Sequence, residues 1–397
     1  RCLGCRACES ACPAGVQYGQ LLEAARADIA SEGRPRGWTA RLLRLTLRHL
    51  WLHPRRLALA FRAARLLRDS RLPHLLLGTK ASRFLPGRLE FALALLDSSA
   101  PPPHSSIRST TSKHGFQRDA AGHDFKPSGI VIPGDAASSF DAPSQTKTRS
   151  LLFKGCVTEG LFSRVNHATA RVLEANGCST FAPDAQGCCG ALHAHAGDIE
   201  GARVLARRNI DAFADTESVP VITNAGGCGA MLASYAQLLA RDSNYAERAQ
   251  AFSVRVRDVS QQLALTGIRE GAAGDERVTT YDASCHLLHG QKAATEPLAM
   301  LAAIRALNFV PLEGSDVCCG GAGVYNLVEP DLSGRILDEK LRHVEDTRAQ
   351  TVVTGNPGCH MQLGAGARLR RLRPLHVCHP VELLDESYKR AGYYDGE

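Results

Sequence analysis

Four cysteine landmarks recur in the same order at nearly constant separation, and this repeat limits what the chain can fold into more than any other feature. Cys156, the pair Cys188–Cys189 and Cys228 return as Cys285, the pair Cys318–Cys319 and Cys359, with offsets of 129, 130, 130 and 131 residues. The surrounding words match as well: "LLFKGC", "GCCGA" and "NAGGCGAML" in the first copy, "TTYDASC", "VCCGGAG" and "NPGCHMQL" in the second. The pattern reads as a gene duplication giving two similar domains, over residues 150–270 and 275–390. Within each copy short apolar runs alternate with helical patterns. "SLLFKG", "STFAP" and "VPVIT" read as strands between helices, as do "RVTTYDA", "NFVPLE" and "AQTVVTG". Alternation of this kind predicts parallel βαβ units. Each cysteine group then follows a strand and precedes a helix, at the carboxyl edge where open parallel sheets form their crevices.

The 397 residues hold fourteen cysteines, and these are clustered rather than spread through loops. Disulfide scaffolds are usually short and secreted, so clustered thiols in a chain of this length point to metal or redox chemistry in a reducing compartment. Cys178 and Cys378 fall outside the groups and read as buried packing cysteines. His193, His286 and His360 lie beside cysteine landmarks but without repeat symmetry, and read as ordinary polar loop histidines.

Residues 1–33 open with C-x2-C-x2-C-x3-C-P, formed by Cys2, Cys5, Cys8, Cys12 and Pro13. In bacterial ferredoxin-type runs the first three cysteines bind one [4Fe–4S] cluster and the fourth ligates the neighbouring one. Zinc sites of four cysteines normally use two separated C-x2-C pairs instead. The spacing therefore assigns Cys2, Cys5 and Cys8 to one cluster and Cys12 to another, and predicts a second loop of this form upstream. The sequence begins without Met, and truncation at the N-terminus is the expectation.

Residues 34–83 carry thirteen Lys/Arg and one acid, Asp69, so this segment is strongly basic while the chain as a whole is +7. The segment 34–97 reads as two or three amphipathic helices broken at Pro54 and Pro73, with leucines docking on the protein and arginines facing water. Peripheral contact with an anionic membrane is the second reading of the same pattern. Aromatics interleaved with the charges are few, which disfavours nucleic acid. Residues 98–149, rich in Ser, Pro, Gly and Thr, read as a disordered linker. No run of about 18 apolar residues suggests a membrane span.

The groups C-x31-CCG-x37-C and C-x32-CCG-x38-C resemble the cysteine-rich (CCG) domains of heterodisulfide reductase and of flavin-linked dehydrogenases. With the opening motif and the connecting helices, the chain is similar to the glycolate oxidase iron–sulfur subunit family. The resemblance rests on "GCVTEGLFSRVNHATARVLEANGC", "GGCGAM", "CCGGAGVYNL" and "NPGC", and leaves out 98–149. The fold it implies is multi-domain, a small helical ferredoxin-type segment with amphipathic helices followed by two duplicated α/β domains. The role it implies is electron transfer from flavin-containing partner subunits towards a membrane quinone, at the cytoplasmic face. Iron–sulfur subunits of lactate utilisation or anaerobic glycerol-3-phosphate dehydrogenase share this architecture. The chain has no G-x-G-x-x-G of its own for flavin or NAD, so hydroxy-acid oxidation is expected elsewhere. The heterodisulfide reductase pattern ends in C-x-x-C, whereas Met231 and Gln362 stand at that last position here. A disulfide-reducing role is correspondingly disfavoured. The four thiols left in each repeat leave an iron–sulfur cluster, a zinc ion, a redox thiol pair and structural packing all open.

Overall fold

The structure is a computed structural model that describes residues 1–31, 38–79, 84–101, 148–214 and 218–394. Most of the expected linker, 102–147, lies outside the described residues. Its edges do not: Ser99 is fully buried, and Thr148 already begins the first strand.

The N-terminal region is helical: α1 (Ala7–Ala11), α2 (Tyr18–Ser31), α3 (Trp38–Thr46) running into a π-helical turn (Leu47–Trp51), α4 (Pro54–Asp69), α5 (Leu72–Gly78) and α6 (Gly87–Ser98). Pro54 and Pro73 occupy the first turns of α4 and α5, where the missing N–H costs nothing, so both start helices. The first α/β domain follows: β1 (Thr148–Leu152), α7 (Cys156–Leu161), α8 (Ser163–Ala175), β2 (Cys178–Phe181), α9 (Ala191–His195), α10 (Ile199–Ala212), β3 (Val221–Thr223), α11 (Gly226–Ala233), α12 (Tyr235–Leu238), α13 (Ala246–Ser253), β4 (Val256–Asp258) and α14 (Val259–Thr266). The second holds β5 (Thr279–Asp282), a π-helical turn (His286–Gly290), α15 (Glu296–Ala302), α16 (Tyr325–Val328), α17 (Pro330–Asp346), β6 (Thr351–Thr354), α18 (Pro357–Leu369), β7 (His376–Cys378) and α19 (Pro380–Arg390).

Both sheets are parallel, as the alternation predicts. The first has the order β2-β1-β3-β4 and the second β5-β6-β7. The run "NFVPLE" contributes only a single bridge, Phe309 to Thr279, on the outer side of β5, which completes the same order in reduced form. The closing strands β4 and β7 are absent from the sequence reading. They are three residues long and give no periodicity to detect.

Closing helices are exchanged between the domains. α14 packs on α15 of the second domain, and α19 returns to pack on α8 of the first. One hydrophobic core therefore crosses the boundary, joining Phe162, Val165 and Val172 to Leu263, Leu301, Leu384 and Tyr388. Arg171 grips Asp385 through two hydrogen bonds of 2.8 and 2.7 Å, and Arg164 donates to Glu382 at 2.7 Å. Bidentate geometry of this kind is the stronger form of ion pair.

The basic helices lie across both domains. Leu47 and Leu57 are buried as expected, but so is Arg68, whose guanidinium donates to the carbonyls of Leu161 and Ser99. Those acceptors satisfy a charge that would otherwise be costly to bury. Leu45, Leu59, Leu66 and Leu75 stay in solvent. The division of leucines inward and arginines outward is thus only partly followed.

Asp258 caps α14 at the domain boundary, accepting from the amide of Ser260 at 2.9 Å and its hydroxyl at 2.6 Å, while its second oxygen has no hydrogen-bond partner among the described residues. Burial pushes its carboxyl up to about 6. An unfolded Asp ionises near 4, so between roughly pH 4 and 6 the unfolded chain has lost a proton that the folded one keeps. Stability from this group therefore falls as pH rises through that window, by on the order of 3 kcal/mol in full. Asp258→Asn keeps the capping oxygen. Its urea-unfolding midpoint is expected to exceed that of the parent at pH 8 and to approach it near pH 5; a constant gap across that range would contradict the assignment.

Candidate metal centre

Parallel topology brings the distant cysteines together. Cys156 opens α7 after β1, Cys188 and Cys189 follow β2, and Cys228 sits in the first turn of α11 after β3. In the second copy Cys285 follows β5, Cys318 and Cys319 follow the Phe309 bridge, and Cys359 lies in the first turn of α18. Helix N-termini favour thiolates, because free N–H groups and the helix dipole meet the charge there.

Within each repeat the thiols touch. Cys156 and Cys188 are 3.4 Å apart at sulfur, and Cys285 and Cys318 are 3.9 Å apart. Hydrogen bonds from Cys188 and Cys228 draw the Cys189 thiol well below its usual range, and Cys285 and Cys319 do the same for Cys318. In each repeat neighbouring S–H groups thus favour a thiolate within the buried thiol cluster.

The two quartets also open on one cavity of about 500 Å³ between the domains, and Cys5 from the opening loop lines it with them. The loop is fastened to the second repeat. His286 Nε2 donates to the Gly4 carbonyl at 2.9 Å, Ser10 Oγ meets His289 Nδ1 at 2.8 Å, and Tyr325 donates to the Arg1 carbonyl at 2.9 Å. Cys2 and Cys8 are exposed beside Cys5. Cys12 does not line the cavity. The amides of Val16 and Ala14 lower its thiol from a different side.

The supporting groups differ between copies. In the first, Asn209 donates to the Cys188 carbonyl at 2.9 Å and Tyr235 to that of Cys189 at 2.7 Å. In the second, Lys340 is buried against Asp282 at 2.8 Å and donates to the Gly314 carbonyl at 2.6 Å, bracing the segment that leads to Cys318. Gln362, at the position of the missing fifth cysteine, binds Ser333 and Asn326. Met231, its counterpart, is core.

The neighbouring histidines are not polar loop residues. His193 lies buried in α9 with Nδ1 2.9 Å from Asp198, and His360 lies buried in α18 against the Phe162 ring. His195, which carried no signal in the sequence, lines the cavity with its ring 5.4 Å from that of His286 and tilted 48° to it. Burial, then the nearby His286, Arg26 and Arg6, hold His195 well below the ordinary imidazole range and so neutral. Cys178 and Cys378 are buried.

Residues 150–233 and 279–364 each match the family described as Cysteine-rich domain, CCG. Over 390 residues the chain is 36% identical to the probable glycolate oxidase iron-sulfur subunit of Bacillus subtilis (strain 168), spanning 97% of this chain and 81% of that protein. It is 28% identical over 393 residues to the glycolate oxidase iron-sulfur subunit of Escherichia coli (strain K12), spanning 98% and 82%. Lactate utilization protein A of Geobacillus thermodenitrificans is 31% identical over 238 residues, 59% of this chain and 97% of that protein. The chain is thus a tandem cysteine-rich-domain protein. It belongs to the glycolate oxidase iron–sulfur subunit family.

The glycine of each CCG group is required by geometry. Gly190 and Gly320 have φ of +91° and +83°, and a Cβ on Gly320 would stand 2.7 Å from the Ser333 carbonyl oxygen. At Gly190 the nearest atom, Ala202 Cα, is 3.2 Å away. Left-handed backbone alone costs an L-residue roughly 1–2 kcal/mol. Gly320→Ala is therefore expected to lose about 2 kcal/mol or more in denaturant unfolding, and Gly190→Ala less. Equal and negligible losses would show that neither turn is held as described.

Proposed function

We propose that the chain carries electrons as the iron–sulfur subunit of a flavin-dependent 2-hydroxy-acid dehydrogenase complex, with glycolate as the substrate of that complex. The observation that carries this reading is the shared cavity, where eight cysteines from two repeats and Cys5 meet. Cys2, Cys5 and Cys8 hold one [4Fe–4S] cluster of ferredoxin type, and Cys12 serves a neighbouring one. Cys156, Cys188, Cys189 and Cys228 hold an iron–sulfur cluster in the first domain. Cys285, Cys318, Cys319 and Cys359 hold another in the second.

An all-sulfur donor set suits such clusters. What supports clusters here is the donor set, four thiols in each repeat, together with the likeness to iron–sulfur subunits. When bound, such groups supply one-electron transfer, and the protein's own part is to present thiolates, exclude water and fix the loops. Oxidation of the hydroxy acid belongs to flavin-bearing partner subunits, and the acceptor is a membrane quinone.

The same complex is proposed to rest on the membrane through its basic helices, at the inner face of the cytoplasmic membrane, the compartment in which free thiols persist. Among the described residues no helix is long and apolar enough to cross a bilayer. The exposed Leu45, Leu59, Leu66 and Leu75 alternate with the exposed Arg55, Arg56 and Arg62, the combination that holds amphipathic helices on anionic lipid. The intact complex is expected to sediment with phosphatidylglycerol vesicles, less so at high salt, and to lose this when Leu59 and Leu66 are both changed to Ser. Equal binding to neutral vesicles would argue against it.

The central test is anaerobic purification with the flavin partners, followed by iron, sulfide and zinc analysis and EPR. Iron and sulfide without stoichiometric zinc are expected, and zinc without iron or sulfide would overturn the reading. Cys5→Ser is expected to lose the cubane signal and quinone reduction while the flavin is still reduced by substrate. Intact quinone reduction in that variant would remove the opening loop from the path.

A further inference from the structure

The cavity that gathers the cysteines has a second kind of wall. Its thiols come from the two α/β domains, whereas Leu42, Leu43, Leu47 and Leu95 reach it from α3, the π-helical turn and α6. Ligating a cluster does not call for leucines supplied by separate helices, and only sulfur from the domains is needed for that. Trp51, at the end of the same turn, also lines the cavity, and its buried indole N–H has no acceptor among the described residues. Leu42 lines the cavity while more than half exposed, so this apolar wall reaches the molecular surface. Leu45, three residues further along α3 and so on the same helix face, is exposed as well.

We propose that the wall formed by α3, the π-helical turn and α6 is the binding site for the ring of an isoprenoid quinone, reached from the lipid surface. An apolar pocket of a few hundred Å³ with few polar groups is the ordinary form of a small-molecule site. A quinone ring is flat and apolar, and its carbonyls accept hydrogen bonds, which matches leucines beside the unused donors of Trp51 and Thr158. The inference rests on the electron-transfer reading and adds the place of the acceptor. The overall chemistry balances without another reactant. The hydroxy acid loses two electrons and two protons on the partner subunit, and the quinone gains two of each to become the quinol.

The test uses the intact complex, kept anaerobic and illuminated with an azido-substituted benzoquinone bearing one isoprene unit. Label is expected on peptides covering 39–51 and 87–98, and unlabelled short-chain quinone should compete it away. In the double variant Leu43→Phe/Leu95→Phe labelling should fall at least tenfold, while reduction of the iron–sulfur EPR signal by hydroxy acid is unchanged. That signal also reports folding. If the double variant lacks it, the single variant Leu42→Phe, on the same wall in α3, carries the same comparison. Competable label elsewhere, or undiminished label in a folded variant, overturns the site. Failure of the underlying reading looks different: the parent complex would show no reduction of the EPR signal by substrate, wherever the label fell.

Discussion

α8 and α19 pack together across the boundary between the repeats, and α14 and α15 do so within the same core. This exchange is what the rest of the structure depends on. A lone four-stranded sheet would present its cysteine loops to solvent at its carboxyl edge. With a core running from Phe162 to Tyr388 through both domains, the two edges are held towards each other. The loops then enclose a space rather than line a rim. Apolar burial supplies about 25 cal/mol for each Å² removed from water, and it is this non-directional term that fixes the distance between the two sets of thiols. The ion pairs from Arg164 and Arg171 add orientation to it.

The N-terminal region completes the enclosure in an asymmetric way. The cysteine loop is tied to the second repeat through His286, His289 and Tyr325, whereas α2 reaches the first repeat, where Glu23 approaches His195 at 3.6 Å. The basic helices close the remaining side, with Arg65 and Arg68 held by carbonyls of the α7 segment. A duplicated core is thereby given a direction. One quartet lies beside the opening loop and the other beside α2.

Much of this was legible in the sequence. The repeat offsets identified two α/β domains, and strand–loop–helix alternation placed every cysteine of the repeats at a carboxyl edge. The resemblance to an iron–sulfur subunit family follows from words such as "GCCGA" and "NPGC", and the identities to curated relatives agree with it. What stayed hidden depends on long-range packing. Nothing local in β4 or β7 marks a three-residue strand, and nothing in α14 or α19 marks a helix that closes the other domain. Arg68 looks like any arginine of a basic helix until the carbonyls of Leu161 and Ser99 are brought to it. His193 and His360 look like loop residues because the helices that bury them are short or begin at the cysteine turn itself.

Met231 and Gln362 show how far two copies of one ancestral unit have drifted. Both stand where a related pattern carries a fifth thiol, yet each has been absorbed differently. Met231 fills core space beside Leu232 and Tyr235, so a cysteine there would leave a void. Gln362 joins α16 to α17 through Asn326 and Ser333, so a cysteine there would strip the buried Asn326 amide of its partner, while Ser333 keeps its bond to the Gly320 carbonyl. Restoring the longer ligand set would thus meet a packing penalty in one half and a hydrogen-bonding penalty in the other. The four-thiol form is held by a different contact in each half, apolar packing in one and a buried amide pair in the other.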